Sequence, residues 1–457
     1  NKGNIKRLVP VWSTSLASIY GEQGQPFVNN GVLFATNAEA TTAMDSATGR
    51  QLWRTPVDFD PATPRIVCCG ISNKGPAIYN GKLYRLTLDA HLVALDMKTG
   101  KQLWKKPFAN HLEGYKGVSA PLIANGVMIT GTSGGEHATR GFLVGWDPET
   151  GNELWRKHMI PAPGEPGHET WPKTADSIPD AWKIGGASTW QNGSYDPELD
   201  LVYWGISNPA PWNPRGRKGD NLYTCSIVAV DVETGKMKWY YQMNPHDTHD
   251  WDSAQTPVLI DGEFNGRQRK MVLQASRNGY FFTLDRLTGE HLRTMKYSDT
   301  TNWAKSINEK SQPVGDPTKD FHVGGSLVSP NNTGVTNWWP PAYSPDTGLF
   351  YVQQLDSYAM YYLTELDPRG AMGLGGKEEI ALGTVRSYIS AIDYKTGKTV
   401  WKQDRNIEYD SPDGDTKKAY GTPSVFEVGG KMQLVSPSAG ATIAYDPHSG
   451  KEIWRVR

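Results

Sequence analysis

The stretch that decides the fold is "AMDSATGRQLWRT", residues 43–55, because close copies of it recur along the chain. "ALDMKTGKQLWKK" and "GWDPETGNELWRK" follow it, and the spacing from Trp53 to Trp104 and from Trp104 to Trp155 is 51 residues in both cases. A seventh copy, "TLDRLTGEHLRTM", lacks the tryptophan and is aligned with Leu292 at that position. A period of this size indicates a repeat architecture. The remaining copies contain Trp239, Trp401 and Trp454.

Each copy is typical of a tight turn followed by a strand. Asp accepts hydrogen bonds from the nearby backbone and Gly tolerates positive φ, so the Asp and Gly of the phrase suit a turn. The Trp offers a large apolar face that docks on the neighbouring repeat. Strand-like runs such as "PAIYNG" and "KLYRLTL" precede most copies, which gives four short strands per unit, the blade of a β-propeller. We therefore predict an all-β propeller, a single domain over residues 1–457.

Composition excludes several classes of partner. The formal net charge of -1 argues against nucleic acid or an anionic membrane, since both normally select a basic excess. No run approaches the ~20 apolar residues of a membrane helix. The N-terminal "NKGNIKRLVP" is not a signal peptide, so the compartment has to be inferred from other features. The "LVPVWSTSL" that overlaps it is expected to be an eighth tryptophan-bearing strand, beside seven complete units.

Polar motifs lie outside the repeat phrase. Glu136 follows two glycines in "TSGGEHATRG", Asn208 lies in "YWGISNPAPWN", and Asp250 and Asp252 lie in "NPHDTHDWDSAQ". Glu, Asn and Asp oxygens suit a hard cation such as calcium, whereas no HExxH or CxxC spacing supports zinc. Each motif alone is also typical of a capped turn or a solvated loop. Three of them in successive repeats favour an ion site.

Other candidate residues are ambiguous by themselves. Arg277 in "ASRNGYFFTLDR" is also typical of a strand end, and the tryptophans of "GGASTWQNG" and "VTNWWPPAYSP" are also typical of a core. Cys68 and Cys69 are neighbours in "RIVCCGISNKG", far from Cys225. The sequence has no CxxCH, so no c-type haem is attached to this chain.

Together these motifs resemble the quinoprotein alcohol dehydrogenases that use pyrroloquinoline quinone (PQQ), among them the methanol and ethanol dehydrogenases. The resemblance runs from about residue 5 to about residue 404 and rests on the tryptophan phrase, the adjacent cysteines and the three ion-site motifs in family order. It implies an eight-bladed propeller with the quinone near the central axis. Seven blades are complete here and the eighth is expected to be incomplete, since the chain stops at "WRVR".

The resemblance also implies roles for individual residues. Cys68 and Cys69 would form a disulfide ring against one face of the quinone, with Trp190 on the other face and Cys225 free; two free thiols are the alternative. Asp252 would be the general base, with Asp250 as a competitor in a motif longer than the family's. The implied metal ligands are Glu136, Asn208 and Asp252. The further implied cofactor contacts are Glu22, Lys74 (where the family usually has Arg), Ser133, Gly134, Gly135, Ser188, Arg277, Asn337 and Trp338.

The activity implied is oxidation of a primary or secondary alcohol to an aldehyde or ketone, with hydride transfer to the quinone. Asp252 would take the hydroxyl proton, the ion would polarise the quinone, and a separate cytochrome c would take the electrons. Lanthanide-using relatives have an extra Asp two residues after the base. Ala254 stands there in this chain, which favours calcium.

Two other functions fit the repeat. One is a non-catalytic scaffold that binds proteins, like the outer-membrane assembly lipoprotein of the same superfamily. The other is a sugar or polyol dehydrogenase with the same cofactor. A scaffold has no need of Cys68, Cys69, Glu136, Asn208 and Asp252 together. A disulfide and a calcium site both suit the oxidising bacterial periplasm, which is the expected compartment.

Overall fold

The computed structural model describes residues 9–20, 23–60, 62–63, 67, 69–366, 375–405, 407 and 421–457. These residues form antiparallel strands joined by loops, and the helical segments are short 3-10 turns. Within the described part of the chain, no helix has the length and apolar character needed to cross a membrane. The 3-10 turns are His111–Glu113, Gly135–His137, His168–Thr170, Ala181–Lys183, Pro214–Gly216 and Pro317–Lys319.

Contacts between Cα atoms divide the chain into two compact units. The first comprises Pro10–Ala254 and Thr364–Lys377, and the second comprises Asn1–Val9, Gln255–Leu363 and Glu378–Arg457. The prediction of a single domain over residues 1–457 stays a prediction.

The first unit contains four sheets, each of four consecutive antiparallel strands. Every strand pairs with its neighbour in sequence, which is the meander of a propeller blade. The strands are β1–β4 (Phe27–Asn29, Val32–Thr36, Ala40–Asp45, Gln51–Pro56), β5–β8 (Ala77–Tyr79, Lys82–Leu86, His91–Asp96, Gln102–Pro107), β9–β12 (Leu122–Ala124, Val127–Thr130, Phe142–Trp146, Glu153–His158) and β13–β16 (Ser194–Asp196, Leu201–Gly205, Ser226–Asp231, Met237–Gln242).

The second unit repeats the pattern with longer connections. Its sheets include three of four or five strands and a two-stranded ribbon within the long connection after the first of them. The strands are β17–β20 (Val258–Phe264, Arg267–Ala275, Tyr280–Asp285, His291–Lys296), β21–β22 (Ala304–Ile307, Pro313–Gly315), β23–β27 (Ser326–Val328, Ala342–Ser344, Leu349–Leu366, Gly375–Asp393, Thr399–Asp404) and β28–β31 (Ser424–Val428, Lys431–Pro437, Thr442–Tyr445, Glu452–Val456). The described residues thus form seven blade-like sheets, one for each copy of the phrase, and an eight-bladed ring stays a prediction.

The Asp and Gly of each phrase form the turn between the third and fourth strands of a sheet. Asp45 Oδ1 accepts hydrogen bonds from the backbone N–H of Thr48 at 2.9 Å and from its hydroxyl at 2.8 Å. Gly49 has φ of 72° and donates its N–H to the carbonyl of Asp45 at 2.9 Å. The hydrogen bonds of this turn lower the pKa of Asp45. The predicted turn chemistry is confirmed.

Four tryptophans, Trp53, Trp104, Trp155 and Trp401, dock on the turn of the following sheet, as predicted, whereas the indole N–H of Trp454 donates to Gln433 Oε1 in its own sheet. The indole N–H of Trp155 donates to Val232 O at 2.9 Å, and a Cβ placed on Gly235 would lie 2.5 Å from the Trp155 ring. Trp53 makes the same contacts with Met97 O, at 3.1 Å, and with Gly100. Glycine is therefore required in the turn both for its positive φ and for the space that the ring occupies.

Two expectations about the repeat were wrong in detail. Arg293, not Leu292, takes the tryptophan position, because Arg293 pairs with Thr283 in the register in which Trp53 pairs with Ala43. Residues 9–18 form no strand. Trp12 nevertheless docks in the usual way, with its indole N–H on Ser46 O at 3.1 Å.

Candidate active site

The candidate residues come from two kinds of loop that the topology places at the same end of the strands. One kind leads into the first strand of a sheet, and the other joins the second strand to the third. Because the first two strands are antiparallel, the start of one and the end of the other share an edge. Lys74, Ser188, Trp190 and Asp252 belong to the first kind of loop, and Ser133, Gly134, Gly135, Glu136, Asn208 and Arg277 belong to the second. Asn337 and Trp338 lie in the comparable loop that leads into β24, which pairs with the start of β25.

Backbone hydrogen bonds connect these loops into a continuous belt within the first unit. Lys74 N–H donates to Val118 O at 2.8 Å, and Lys116 and Ser133 exchange hydrogen bonds at 3.2 and 2.9 Å. The belt continues where Thr189 N–H donates to Thr132 O at 2.9 Å. It reaches the next sheet where Ser207 N–H donates to Ser188 O at 3.0 Å. The loops of the predicted ion site are therefore adjacent.

Each carboxylate oxygen of Asp252 accepts a hydrogen bond from another loop. Its Oδ1 accepts from the backbone N–H of Asn208 at 2.8 Å, and its Oδ2 accepts from the indole N–H of Trp190 at 3.1 Å. The residue is 5% exposed. Three residues that the sequence predicts to act together are thus in direct contact.

The two extra residues of the "HDTHDWD" motif form a turn that Asp247 caps. Asp247 Oδ2 accepts from the N–H groups of Asp250 at 2.9 Å and of Trp251 at 3.1 Å. Trp251 is fully buried, and its ring stacks on His249 with the centroids 4.3 Å apart. Trp251 is thereby anchored directly before Asp252, and it is Asp252 that contacts Trp190 and Asn208.

Glu136 lies in a 3-10 turn that depends on its glycines. Gly134 has φ of 122°, and a Cβ there would lie 2.2 Å from Gly114 O. Glu136 Oε2 and Ser133 Oγ are buried and have no hydrogen-bond partner among the described residues. Buried polar atoms in this condition are available to bind a ligand, an ion or water. Carboxylate oxygens of this kind fit a hard cation, and the buried hydroxyl fits a polar cofactor.

Lys74 and Trp190 form another part of the site. Lys74 Nζ donates to Gln23 Oε1 at 2.7 Å and lies 5.3 Å from the centroid of the Trp190 ring. Burial lowers the pKa of Lys74 to about 7. Ser188 Oγ donates to Ser207 Oγ at 3.1 Å in the neighbouring loop.

The cysteines are only partly described. Cys69 has φ of 66° and is exposed, whereas Cys225 is free and buried. Burial raises the pKa of the Cys225 thiol well above its usual value. Cys68 and Glu22 lie outside the described residues, so their predicted roles stay predictions.

Arg277, Asn337 and Trp338 belong to the second unit. Val335 N–H donates to Arg277 O at 2.9 Å, and the Arg277 guanidinium donates to Asn332 O. Asn337 Nδ2 donates to Thr333 O at 2.8 Å, and its Oδ1 accepts from Trp338 N–H at 2.8 Å. One loop therefore orders all three predicted residues.

Sequence reasoning missed Lys116. Its side chain is 4% exposed, and its Nζ lies 3.9 Å from Glu136 Oε2. Burial lowers the pKa of Lys116, and the Glu136 carboxylate opposes that shift. Lysine is usually solvated, so nothing in the composition of "GYKGVSAP" marks it. Its flanking glycines, Gly114 and Gly117, were the available signal of close backbone packing.

Comparisons with known proteins agree with this architecture. A family model described as "Glucose/ethanol/alcohol dehydrogenase, beta-propeller domain" matches residues 1–315. The quinoprotein alcohol dehydrogenase PedH of Pseudomonas putida is 34% identical, with 100% of this chain and 78% of PedH aligned. A quinoprotein ethanol dehydrogenase of Pseudomonas putida is 32% identical over the same shares. The solved structure of a europium-containing methanol dehydrogenase has a TM-score of 0.87 and 30% identity, covering 100% of this chain and 82% of that one.

The fold and the loops define a β-propeller enzyme of the quinoprotein class. The chain belongs to the PQQ-dependent alcohol dehydrogenase family. A second family model, "Outer membrane protein assembly factor BamB", matches residues 385–457. Because the matches over the whole chain are to dehydrogenases, the scaffold function is not favoured.

Proposed function

We propose that this enzyme oxidises a primary or secondary alcohol and that Asp252 takes the proton from the substrate hydroxyl. The observation that carries the proposal is the pair of hydrogen bonds from Asn208 and Trp190 to the Asp252 carboxylate. Both bonds fix the position of the carboxylate, and a general base must be held within reach of the proton it removes. When bound, PQQ supplies the electron acceptor and the ion supplies a Lewis acid.

The residues proposed to hold the quinone offer an aromatic face, cations and small polar groups. Trp190 supplies the face, and Lys74 supplies a point charge where an arginine would bind a carboxylate through two parallel bonds. A bond between Cys68 and Cys69 would supply the opposite face, and the free, buried Cys225 supports this pairing. The full proposed set is Glu22, Cys68, Cys69, Lys74, Ser133, Gly134, Gly135, Ser188, Trp190, Arg277, Asn337 and Trp338.

The proposed ion is calcium, held by Glu136, Asn208 and Asp252. Two carboxylates and an amide are oxygen ligands of the kind calcium selects. The similarity to the europium-containing methanol dehydrogenase extends over the whole chain. Which ion binds, however, depends on only a few side chains at the site. Ala254 offers a methyl group where lanthanide-using relatives have another carboxylate, which supports the divalent ion.

The proposed compartment is the bacterial periplasm, and the proposed electron acceptor is a separate cytochrome c. An oxidising compartment suits the disulfide.

The test is reconstitution of the purified protein. Metal-free protein is mixed with PQQ, calcium or both, and the bound-quinone absorbance and dye-linked oxidation of simple alcohols are measured. We expect turnover only with both additions. Bound quinone without oxidation of any primary or secondary alcohol, or oxidation only of sugars and polyols, would contradict the proposal.

A further inference from the structure

Lys116 is a buried cation beside the proposed ion site. It lies in the loop that leads into β9, and its backbone pairs with Ser133. Its side chain is 4% exposed, and its ammonium has no hydrogen-bond partner among the described residues. A buried charge without hydrogen bonds is costly, so a compensating group is expected.

Glu136 supplies that compensation incompletely. The distance from Lys116 Nζ to Glu136 Oε2 is 3.9 Å, which is too long for a hydrogen bond. Glu136 Oε2 also lacks a hydrogen-bond partner among the described residues. The two charges attract each other, but neither group is locked in place. Such a carboxylate is available to a stronger cation, and such an ammonium is available to a stronger anion.

We propose that Lys116 is an exchangeable counter-ion: it neutralises Glu136 in the metal-free protein, yields that carboxylate to the metal ion, and then binds an anionic group of the quinone. This inference rests on the proposed function, because it takes Glu136 as a metal ligand and PQQ as the cofactor. PQQ carries several carboxylate groups, which are the anions that an ammonium recognises.

The exchange predicts effects of opposite sign on the two ligands. Without Lys116 the ion no longer competes with a resident cation for Glu136, so the ion binds more tightly. The quinone loses a cationic contact and binds more weakly. A purely structural role for Lys116 predicts instead that both affinities fall together when the loop is disturbed.

The experiment measures both affinities in the full chain at neutral pH. Calcium binding to metal-free protein is followed by titration calorimetry, and PQQ binding at saturating calcium is followed by quenching of tryptophan fluorescence. For Lys116→Met we expect calcium to bind about tenfold more tightly and PQQ about tenfold more weakly, as is reasonable for one close charge pair. Lys116→Arg keeps the charge and should move both affinities by less.

Lys74→Met is the matched control, because it also removes a buried lysine of the site. Lys74 contacts Gln23 and Trp190, so its loss should weaken PQQ binding and leave calcium binding unchanged. Unchanged or jointly reduced affinities in Lys116→Met, with normal binding by the wild type, would overturn the counter-ion role alone. Failure of the wild type to bind PQQ would overturn the proposed function itself. If Lys116→Met does not fold, Lys116→Gln provides the same comparison.

Discussion

Asp252 shows how one residue acquires a defined environment from distant parts of the chain. The capped turn at Asp247 anchors Trp251, and the loops after β14 and before β13 supply the donors Asn208 and Trp190. Because both carboxylate oxygens are occupied as acceptors, the side chain has a fixed orientation. A carboxylate in a fixed orientation suits the proposed role of removing a proton from a bound hydroxyl.

Asp252→Asn should lower the rate constant for alcohol oxidation by about 10²–10⁴-fold while the protein stays folded. An amide is a poor base, and its single oxygen can accept only one of the two hydrogen bonds, so the free energy of unfolding should fall by about 1 kcal/mol. Steady-state kinetics and urea unfolding measure the two effects. Asp250→Asn is the control and should retain turnover; the reverse result would assign the base to Asp250.

The buried Lys74 should make the stability of the folded protein depend on pH. Its pKa is about 7 in the folded protein against an ordinary value of 10.5, because the ammonium is buried. Between these values the unfolded chain holds a proton that the folded chain lacks, so this group makes the free energy of unfolding rise with pH across that window. Below about pH 7 the Lys74 ammonium is charged in both the folded and the unfolded chain, so the full free-energy cost of burying it lowers the stability of the folded protein.

Lys74→Met removes this dependence. Its stability relative to the wild type should therefore be greatest below pH 7 and should decline steadily toward pH 10.5. Urea unfolding at a series of pH values measures this difference. In the control variant Lys98→Met, which replaces an exposed lysine, the free energy of unfolding should vary with pH as it does in the wild type. A difference that does not vary with pH would mean that Lys74 is solvated.

At the scale of the elements, the repeat phrase explains most of what the sequence could predict. Asp45, Gly49 and Trp53 determine a turn and a docking contact through local hydrogen bonds and ring size, which are properties of the residues themselves. Arg293 was within reach of the sequence, because it lies eight residues after Asp285 just as Trp53 lies eight residues after Asp45. The register of β20 agrees with this count, and the choice of Leu292 followed its apolar side chain instead.

The docking contact should contribute strongly to stability. Trp155→Ala removes a buried ring that packs on Gly235 and donates to Val232 O, so the free energy of unfolding should fall by about 3–5 kcal/mol. Trp104 packs on Gly151 in the same way, but its indole nitrogen has no hydrogen-bond partner among the described residues. Trp104→Ala should therefore cost about 1 kcal/mol less. Urea unfolding compares the pair, and equal losses would show that the indole hydrogen bond contributes nothing.

At the scale of the whole molecule, the repeat phrase and the loop motifs together predict the family and the β-propeller class. The matching family model and the similar solved structure confirm both predictions. The loops that resemble a known family bring Asp252 and Trp190 into contact, and the roles of both residues stay predictions. The burial of Lys116 was not predicted, because it results from packing between loops that are distant in sequence, and no local pattern specifies such packing.

The ion should determine both the stability and the activity of the whole protein. A ligand that binds only the folded state raises its stability by about 2.7 kcal/mol at a concentration 100 times its dissociation constant. Metal-free protein with PQQ should therefore gain thermal stability and turnover on addition of calcium. Lanthanum should not restore turnover, because the proposed ligands Glu136, Asn208 and Asp252 include only two carboxylates and Ala254 adds none.

Ala254→Asp is the variant that isolates this argument. Ala254 is 1% exposed, and its Cα would lie 2.9 Å from a Cβ on Gly205, so its backbone is tightly packed directly after the Asp252 that we propose as the base. An added carboxylate there increases the negative charge next to Asp252 and should favour a trivalent ion. Turnover and melting temperature are measured for both proteins with calcium or lanthanum, and the preference should reverse in the variant. Turnover of the wild type with lanthanum alone would show that a methyl group at position 254 does not exclude the trivalent ion, and the charge of the site would then have to come from another carboxylate, with Asp250 as the nearest in sequence.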